Sequence, residues 1–430
     1  MVPYLWIRDP KCERLMIVHD ELGKLIDSSL DGYTSFLQQL LQIPTPRMEE
    51  QASVRFLGEA LERSRVPVTY FEGQGVGEPL PAGLPLNLTA CRKGAGGGRS
   101  LLLQAHMDTV PPGDESKWTE SPWSGAIRDG RIYARGSHDD KTGAAILWMV
   151  ADLLDRAEIT TQGDLHLLVT TEEEYSCGGM QAYIQLPDRA RPDAHLAVDG
   201  NRRDACILGH AGVLSFRIRL TGPWGSIFQR DLEHHANPIE HAADLIRGLR
   251  DFEKRLQARV RSLNPLPRWP EPKVVVTEIA SKTWFSNIPE ACTIGAIGNV
   301  IPPMAISEFK AMLLAFLDEM RSTIPAFAQW PPVVEWGPLE MSDYAIEESS
   351  DFYQTLARSH REHFGTPLTP RYIGGWGDMR LVESPNLIFY GPGGGGNDHN
   401  YDEYYELADL APTLRTLCQL VTDWCGLASR

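Results

Sequence analysis

The sequence is short of positive charge and of long apolar runs. Its 430 residues include 41 lysines and arginines against 57 aspartates and glutamates, so the formal net charge is −16 at pH 7. Because nucleic acids and anionic membranes attract basic surfaces, neither is expected as a partner. No apolar run approaches the ~20 residues needed to span a bilayer. The first apolar segment ends at Arg8 and Asp9, which is too early for a signal peptide.

Cysteine is also scarce. The seven cysteines are odd in number and widely spaced, and none forms a Cys-x-x-Cys pair. Neither a disulfide framework nor a thiolate zinc site is therefore favoured, and a reducing, cytoplasmic location is expected. The sequence has no internal repeat or low-complexity segment, and a chain of this length normally forms two domains.

What the sequence does contain is an alternation of buried strands and helices. Apolar runs at 101–106, 164–170 and 194–198 predict strands that are covered on both faces. The segment 141–155 is apolar almost all round, as a buried helix is. This alternation predicts an α/β fold with a mostly parallel sheet and helices on both faces.

Local signals place further elements near the N-terminus. Residues 29–64 have helical periodicity, and Pro44 is expected to end the first helix there. The glycine-rich segment 93–98 separates apolar runs at 86–91 and 101–106. Such a segment predicts a hairpin turn that joins two neighbouring strands.

The pattern changes after about residue 210. Residues 213–220 largely alternate apolar with polar side chains, as a half-exposed antiparallel strand does. Helical and strand patterns then follow each other as far as 336, and buried elements resume from 350. The simplest division is a first domain of residues 1–209 and 342–430, with a smaller α+β domain at 210–341 inserted into it.

Side chains that can bind metals follow the predicted strands, where open α/β sheets place their ligands. They are His106, Asp139, Glu172, Glu173, Glu174, Asp199 and, after a glycine-rich segment, His399. Two imidazoles and three carboxylates suit a pair of zinc ions, provided that one carboxylate bridges them. Asp139 is the candidate bridge, and Glu173 beside the ligand Glu174 is the candidate proton acceptor. Asp108 lies two residues after His106 and can orient its ring from behind.

Each motif alone also has a structural interpretation. A His-x-Asp sequence such as 106–108 can be an ordinary strand end. Asp139 and Asp140 can cap the following helix at its N-terminus. A run of glutamates such as 172–174 can be a solvated charged surface. Together and in this order, the motifs favour metal binding.

The same motifs resemble a known family over most of the chain: the di-zinc metallopeptidases that include aminoacylase, carboxypeptidase G, acetylornithine deacetylase and succinyl-diaminopimelate desuccinylase. The matching blocks are His106-Met-Asp108, Gly130 to Gly143, Glu172 to Gly179, Gly374 to Arg380, and Asp398-His399 with Asp402-Glu-Tyr404.

The resemblance implies a ligand set and roles. It implies one metal on His106, Asp139 and Asp199, and another on Asp139, Glu174 and His399. It also implies Asp108 as the support of a ligand and Glu173 as general base. A shift by one residue, with Glu172 as base and Glu173 as ligand, stays open, and His138 is a further candidate ligand beside Asp139.

Three residues are candidates for contacts with substrate. The guanidinium of Arg380 can hold a substrate carboxylate with two hydrogen bonds, although an ordinary ion pair is the alternative. Asn287 resembles a substrate-contacting asparagine of the family's inserted domain. That domain usually also supplies a histidine soon after a glycine, but residues 222–228 contain none. We assign its role to His235, with His234 beside it.

The function expected from this resemblance is metal-dependent hydrolysis of an amide. A water held between two Zn²⁺ ions, or between Co²⁺ or Mn²⁺ ions, would attack the carbonyl of a small N-acyl amino acid or related amide, with Glu173 as base. A dipeptidase, aminopeptidase or carboxypeptidase of the same family is an alternative. Family deacylases and carboxypeptidases more often have glutamate at the position of Asp199, so this residue favours the peptidase-like members. A metal-containing binding protein without turnover is an alternative of another class. The resemblance also implies a homodimer formed through the inserted domain, which would act as a lid.

Overall fold

The structure is a computed structural model that describes residues 10–74, 85–200, 202–226, 228, 237–263, 269–375, 377–382 and 384–429. The helices are α1 (Pro10–Leu41), α2 (Gln51–Arg63), α3 (Lys141–Arg156), α4 (Gly178–Gln185), α5 (Pro238–Ser262), α6 (Ile306–Thr323), α7 (Ala326–Gln329), α8 (Asp351–Phe364) and α9 (Leu410–Cys425).

The strands are of very different lengths. They are β1 (Val68–Glu72), β2 (Leu86–Arg92), β3 (Leu101–His106), β4 (Ala126–Arg128), β5 (Arg131–Tyr133), β6 (Leu165–Thr170), β7 (Ala194–Ala197), β8 (Ala205–His210), β9 (Gly212–Thr221), β10 (Gly225–Ser226), β11 (Val274–Ser281), β12 (Asn287–Ile288), β13 (Ala291–Val300), β14 (Val333–Met341), β15 (Tyr344–Ala345), β16 (Thr369–Ile373), β17 (Leu387–Phe389), β18 (Gly395–Gly396) and β19 (Tyr404–Glu406).

Two compact units make up the chain. The first comprises Met1–Leu208, Ile346–Arg371 and Gly377–Arg430, and the second comprises Gly209–Ala345 and Tyr372–Trp376. Among the described helices, none combines the length and apolar composition that crossing a membrane requires.

A mixed sheet forms the centre of the first unit. Its strands follow the order β1-β2-β6-β3-β7-β17-β8. The four central strands β6, β3, β7 and β17 are parallel, and the strands outside them pair antiparallel. All six residues of β3 and all four of β7 are buried, because strands inside such a sheet are covered on both faces. The predicted α/β class with helices on both sides of the sheet is confirmed, and the sheet is mixed, with its parallel strands at the centre.

The predicted hairpin between β2 and β3 is wrong. Both strands pair with β6, β2 antiparallel and β3 parallel, so β6 lies between them. Residues 93–98 contact the chain around Thr161 and Gln162 instead, where Ala95 and Gly96 donate backbone hydrogen bonds to their carbonyls at 2.8 and 2.7 Å. A glycine-rich segment marks a turn but does not show which strand the chain joins next.

The helices beside the sheet follow the apolar pattern. In α3 twelve of the sixteen residues are buried, and the helix packs against β3. The helical stretch predicted at 29–64 is two helices, α1 and α2, and the first one ends at Leu41, shortly before Pro44. Proline disfavours helical backbone at the residue that precedes it, which accounts for the break.

The second unit contains an antiparallel sheet of order β11-β13-β9-β14. In β9, Leu214, Phe216, Ile218 and Leu220 are buried, whereas Arg217 and Arg219 are exposed. The buried side chains share one core with apolar residues of α5 and α6. The alternation seen in the sequence is therefore the alternation of a sheet with one covered face.

Candidate metal centre

Three parallel strands bring the candidate residues to one edge of the central sheet. β3 ends at His106, β6 ends at Thr170 just before the glutamates 172–174, and β7 ends two residues before Asp199. β3 pairs with both of the others, so these three ends are adjacent. The carboxyl ends of parallel strands are where open α/β sheets bind ligands.

Asp139 lies between two histidines. One of its carboxylate oxygens, Oδ1, is 3.0 Å from Nε2 of His106, and the other, Oδ2, is 3.1 Å from Nε2 of His399. Two histidines from distant parts of the chain therefore face different oxygens of one carboxylate. This is the arrangement that a carboxylate bridging two metal ions needs.

The ligand atoms on one side of this bridge are close enough to share an ion. The side-chain ligand atoms of Asp139, Glu174 and His399 all lie within 4.8 Å of one another, and Glu174 Oε1 is 3.0 Å from His399 Nε2. One imidazole nitrogen and two carboxylates are a donor set that Zn²⁺ accepts. The described residues therefore fit a metal at this position.

Asp108 and the backbone hold the other histidine in a defined orientation. His106 is buried, and its Nδ1 lies 3.1 Å from the backbone carbonyl oxygen of Asp108 and 3.5 Å from the Asp108 carboxylate. A proton on Nδ1 leaves the lone pair of Nε2 directed at Asp139. The carboxylate of Asp108 also accepts hydrogen bonds from the backbone N–H groups of Glu173 and Glu174, at 3.2 and 3.1 Å. Asp108 thus links the strand end at His106 to the glutamate segment.

The three consecutive glutamates have different surroundings. Glu172 is fully buried and accepts two hydrogen bonds from the guanidinium of Arg47, at 2.8 and 2.9 Å. Glu173 is half-buried, and its Oε1 accepts a hydrogen bond from the backbone N–H of Asp378 at 3.3 Å. Glu174 contacts His399. The backbone of Glu172 has a positive φ of 67°, which marks the turn where this segment leaves the sheet.

Negative charge accumulates around Asp139. Burial raises the pKa of Glu173 well above its usual value, and the charges of Asp378, Asp199 and Glu174 raise it further. Burial and the charge of Asp139 raise the pKa of Asp199 to about 7. Because the pKa of a buried acid rises when no positive charge compensates it, this site favours cations.

The histidines act in the opposite direction. Burial tends to raise the pKa of Asp139, but the hydrogen bonds of His106 and His399 outweigh it and hold that pKa well below the usual range. Hydrogen bonds to Asp139 and Glu174 raise the pKa of His399 to about 10. Protons on the histidines and metal ions therefore compete for the same lone pairs.

The contacts of residues 138–140 fit neither a side-chain helix cap by Asp140 nor a ligand role for His138 beside Asp139. Asp140 precedes α3 but makes no side-chain capping hydrogen bond, and its Oδ2 instead accepts the backbone N–H of His106 at 3.1 Å. His138 directs Nδ1 at Asp398, 2.6 Å away, and its Nε2 lies 3.3 Å from the carbonyl oxygen of Gly393. Both ring nitrogens thus face other partners than the Asp139 side chain.

The candidate substrate residues are spread over the chain. Arg380 lies in the first unit, in the single turn Asp378–Leu381. It is close to Cys177: burial raises the pKa of that thiol, and the charge of Arg380 opposes part of this increase. Asn287 lies in the second unit, where β12 pairs with β10. His234 and His235 lie outside the described residues.

Three further residues support the site and had no assigned role in the sequence. Arg47 donates hydrogen bonds to Glu172. The backbone N–H of Asp378 donates one to Glu173, and Glu403 accepts one from the backbone N–H of Asp139. Asp378 is itself held by Gln104 and Thr170, which donate hydrogen bonds of 3.0 and 2.7 Å to its two oxygens. Glu403 belongs to the last sequence motif, 402–404, so the sequence could have drawn attention to it. No sequence signal shows which residues Arg47, Asp378 and Glu403 contact.

The described residues hold one other cluster with the chemistry of metal ligands, Cys91, Asp164 and His166. Cys91 and His166 face each other across the β2–β6 pair. Lys93 donates a hydrogen bond of 2.8 Å to the Asp164 carboxylate. Its ammonium already provides the positive charge that a metal would bring.

Comparisons with known proteins show the family of the chain. Residues 102–423 match the model of peptidase family M20/M25/M40. The chain is 25% identical over 439 residues to the N-formyl-4-amino-5-aminomethyl-2-methylpyrimidine deformylase of Halalkalibacterium halodurans, covering 95% of this chain and 98% of the relative. It is 26% identical over 346 residues to the acetylornithine deacetylase of Proteus mirabilis, covering 79% and 82%.

Solved structures share the fold. A tripeptidase from Staphylococcus aureus superposes with a TM-score of 0.72 at 16% identity, covering 92% of this chain and 98% of that one. A dinuclear metal-binding peptidase from Bacillus subtilis superposes with a TM-score of 0.63 at 14% identity, covering 93% and 99%. Because the family model matches most of the sequence, the chain belongs to peptidase family M20/M25/M40 and is a hydrolase of amide or peptide bonds.

Proposed function

We propose that the protein is a two-metal deacylase, which hydrolyses the amide of a small N-acyl amino acid or related N-acyl amine. The observation that carries this proposal is the position of Asp139, whose two oxygens face His106 and His399, with Glu173 nearby. One ion would be held by His106, Asp139 and Asp199, and the other by Asp139, Glu174 and His399.

Zinc is the metal we propose, because its preferred ligands are imidazole nitrogens and carboxylate oxygens. When bound, a pair of such ions lowers the pKa of water and polarises a carbonyl. Co²⁺ and Mn²⁺ are the alternatives, since they accept the same donors.

Glu173 is the proposed general base. It is beside the ligand Glu174 but accepts its hydrogen bond from the Asp378 backbone, so its carboxylate is available for a proton. A carboxylate held in this way beside the metal ligands can act as a general base. It would take a proton from the attacking water and return it to the leaving amine. The alternative with Glu172 as base is disfavoured, because Arg47 holds both oxygens of that carboxylate.

The choice of an acyl group over a peptide rests on the sequence relatives. The two described above are named as a deformylase and a deacetylase, and the first is similar along nearly its whole length. The two peptidases of solved structure described above are less similar in sequence, at 16% and 14% identity. A peptidase of the same family is the second candidate, and Asp199 as ligand is the feature that favours it.

The remaining parts of the proposal concern substrate and assembly. Arg380 would bind a carboxylate of the substrate, and Asn287 and His235 would contact it from the inserted domain at 210–341. That domain would also form a homodimer, and the exposed side chains of Val275 and Ile279 on its edge strand β11 suit such an interface. A cytoplasmic location is proposed from the cysteine content alone.

A substrate panel tests the activity. The purified protein, loaded in turn with zinc, cobalt and manganese, is assayed against N-formyl and N-acetyl amines, N-acyl amino acids and dipeptides. Preferred release of formate or acetate supports the deacylase, and preferred cleavage of dipeptides supports the peptidase. Failure to hydrolyse any of them by a protein that binds two metals would contradict the proposal and favour the non-catalytic binder.

A further inference from the structure

We propose that Glu403 is a positioning residue that fixes the direction of the Asp139 carboxylate and joins the two loops that carry Asp139 and His399. The inference rests on the proposed metal site. The first loop, residues 135–139, follows β5, and the second, residues 397–403, precedes β19.

The carboxylate of Glu403 is a buried acceptor for four of the five residues of the first loop. Its side chain is only 1% exposed. Oε1 accepts hydrogen bonds from the backbone N–H groups of His138 and Asp139, at 2.9 and 3.1 Å. Oε2 accepts hydrogen bonds from the backbone N–H of Gly136 at 3.0 Å and from Nη1 of Arg135 at 2.6 Å. All four donors come from five consecutive residues.

These contacts fix the backbone from which the bridging carboxylate projects. Gly136 has a φ of 80°, so the loop turns through a conformation that most residues avoid. The amide of Asp139 itself is one of the four donors, and a rotation of that peptide would swing its side chain away from one histidine. The geometry of the bridge therefore depends on an acceptor contributed 264 residues later in the chain.

The backbone around Glu403 is itself held in register with the first loop. Tyr404 pairs with Tyr133 across β19 and β5, and the carbonyl oxygen of Glu403 accepts the N–H of Ala134 at 3.2 Å. The backbone that carries the Glu403 side chain is therefore fixed by strand pairing, and the side chain holds the loop 135–139 from that fixed position. Glu403 acts on Asp139 from a rigid element, which is what precise positioning requires.

The same two loops make further contacts on the side of His399. His138 Nδ1 is 2.6 Å from the carboxylate of Asp398, the residue before His399. Arg135 donates a hydrogen bond of 3.1 Å from Nη2 to the carbonyl oxygen of Asn400, the residue after it. The ligand His399 is therefore flanked on both sides by residues that contact the loop of Asp139.

Simple charge stabilisation does not explain a glutamate at this position. A carboxylate beside Asp139 adds negative charge to a site that already has an excess of it, and burial together with the charge of Asp139 raises the pKa of Glu403. Arg135 compensates part of that charge, and what the carboxylate contributes is its hydrogen bonds to the backbone amides of Gly136, His138 and Asp139. Residues behind metal ligands commonly act in this way, and their loss typically weakens metal binding about 10- to 100-fold.

The test compares metal binding by the apoprotein of the wild type and of Glu403→Gln. The glutamine keeps the size of the side chain but replaces one acceptor oxygen with a donor, which would face other donors in the loop. We expect metal affinity, measured by competition with a chromophoric chelator, to fall about 10- to 100-fold. We also expect activity to recover when metal is added in excess, which a damaged fold would not allow.

Glu406→Gln is the matched control. Glu406 lies three residues after Glu403, at the end of β19, and pairs with Arg131 at 2.9 Å, but it contacts neither Asp139 nor His399. Its substitution should leave metal affinity unchanged. Glu403→Asp is a second variant, which keeps the charge but cannot reach all the amides, and it should show the same loss in milder form.

The outcomes separate this inference from the proposed function. A wild type that binds no metal would overturn the metal site itself. A wild type that binds two ions, with Glu403→Gln equal to it in affinity, would overturn only the positioning role. Loss of the folded state in both Glu403 variants, detected by circular dichroism, would also overturn it, since Glu403 would then support the fold as a whole.

Discussion

Replacing Glu173 with glutamine removes the proposed base and little else. The amide oxygen of glutamine can still accept the N–H of Asp378, so the position of the side chain should be preserved. Glu172 and Glu174, which have other partners, keep their contacts with Arg47 and His399. The substitution therefore separates proton transfer from metal binding.

The expected effect follows from what a general base contributes. Positioned proton transfer accounts for about 10²- to 10⁴-fold in rate, or about 3 to 5 kcal/mol in the barrier. We expect kcat of Glu173→Gln to fall by that factor at saturating substrate, while the protein retains both metal ions. The assay is steady-state hydrolysis of the best substrate from the panel, with metal content measured by mass spectrometry on the same sample.

Glu172→Gln is the control, and it also tests the shifted register. It weakens the buried contact with Arg47, so it should lower stability and leave the rate of the folded enzyme within about tenfold. The reasoning is refuted if Glu173→Gln retains its rate. It is equally refuted if Glu173→Gln loses a metal while Glu172→Gln keeps its metals and loses turnover, since Glu172 would then be the base.

Two further predictions concern stability and protons. Arg47→Ala removes the two guanidinium hydrogen bonds of the buried Glu172 and leaves the one from Ser176. It should lower the free energy of unfolding by roughly 3 kcal/mol in urea denaturation, the lower end for a broken buried pair because Arg47 is partly exposed. An unchanged midpoint would contradict this. The pKa of His399 is raised to about 10 in the metal-free protein, against about 6.5 in an unfolded chain. Its hydrogen bonds to Asp139 and Glu174 therefore stabilise the fold fully below about pH 6.5, and this stabilisation is lost as the pH rises through 10. Since metals bind the unprotonated ring, metal binding at pH 7 should release about one proton from His399, measured by calorimetry in buffers of different ionisation enthalpy. Heats that do not depend on the buffer would contradict it.

The strands and their ends were predictable because the apolar pattern determines them. β3 has the predicted bounds, because its run is apolar except for Gln104 and the terminal His106, and such a run suits a strand that is covered on both faces. The grouping of His106, the glutamates 172–174 and Asp199 was predictable as well, because the carboxyl ends of neighbouring parallel strands lie at the same edge of the sheet. The first half of α1 was not predicted, because the exposed Met16 and Ile17 obscure its apolar stripe.

Contacts between distant residues were not predictable. The order β2-β6-β3 depends on which strands pair, and the sequence between β2 and β3 resembles an ordinary turn. Arg47 and Glu172 are 125 residues apart, and each alone is an unremarkable charged residue. Roles such as that of Glu403 arise from backbone donors, which every residue except proline possesses and no motif records.

The central claim is that Asp139 joins two metal sites, and the metal stoichiometry of Asp139→Asn tests it most directly. An amide is neutral and offers one oxygen, so it cannot bridge two ions as a carboxylate does. Isothermal titration of the apoprotein with Zn²⁺ should give two sites for the wild type and strongly weakened binding at both for Asp139→Asn. A wild type with one site, or a variant that still binds two ions with unchanged affinity, would contradict the account.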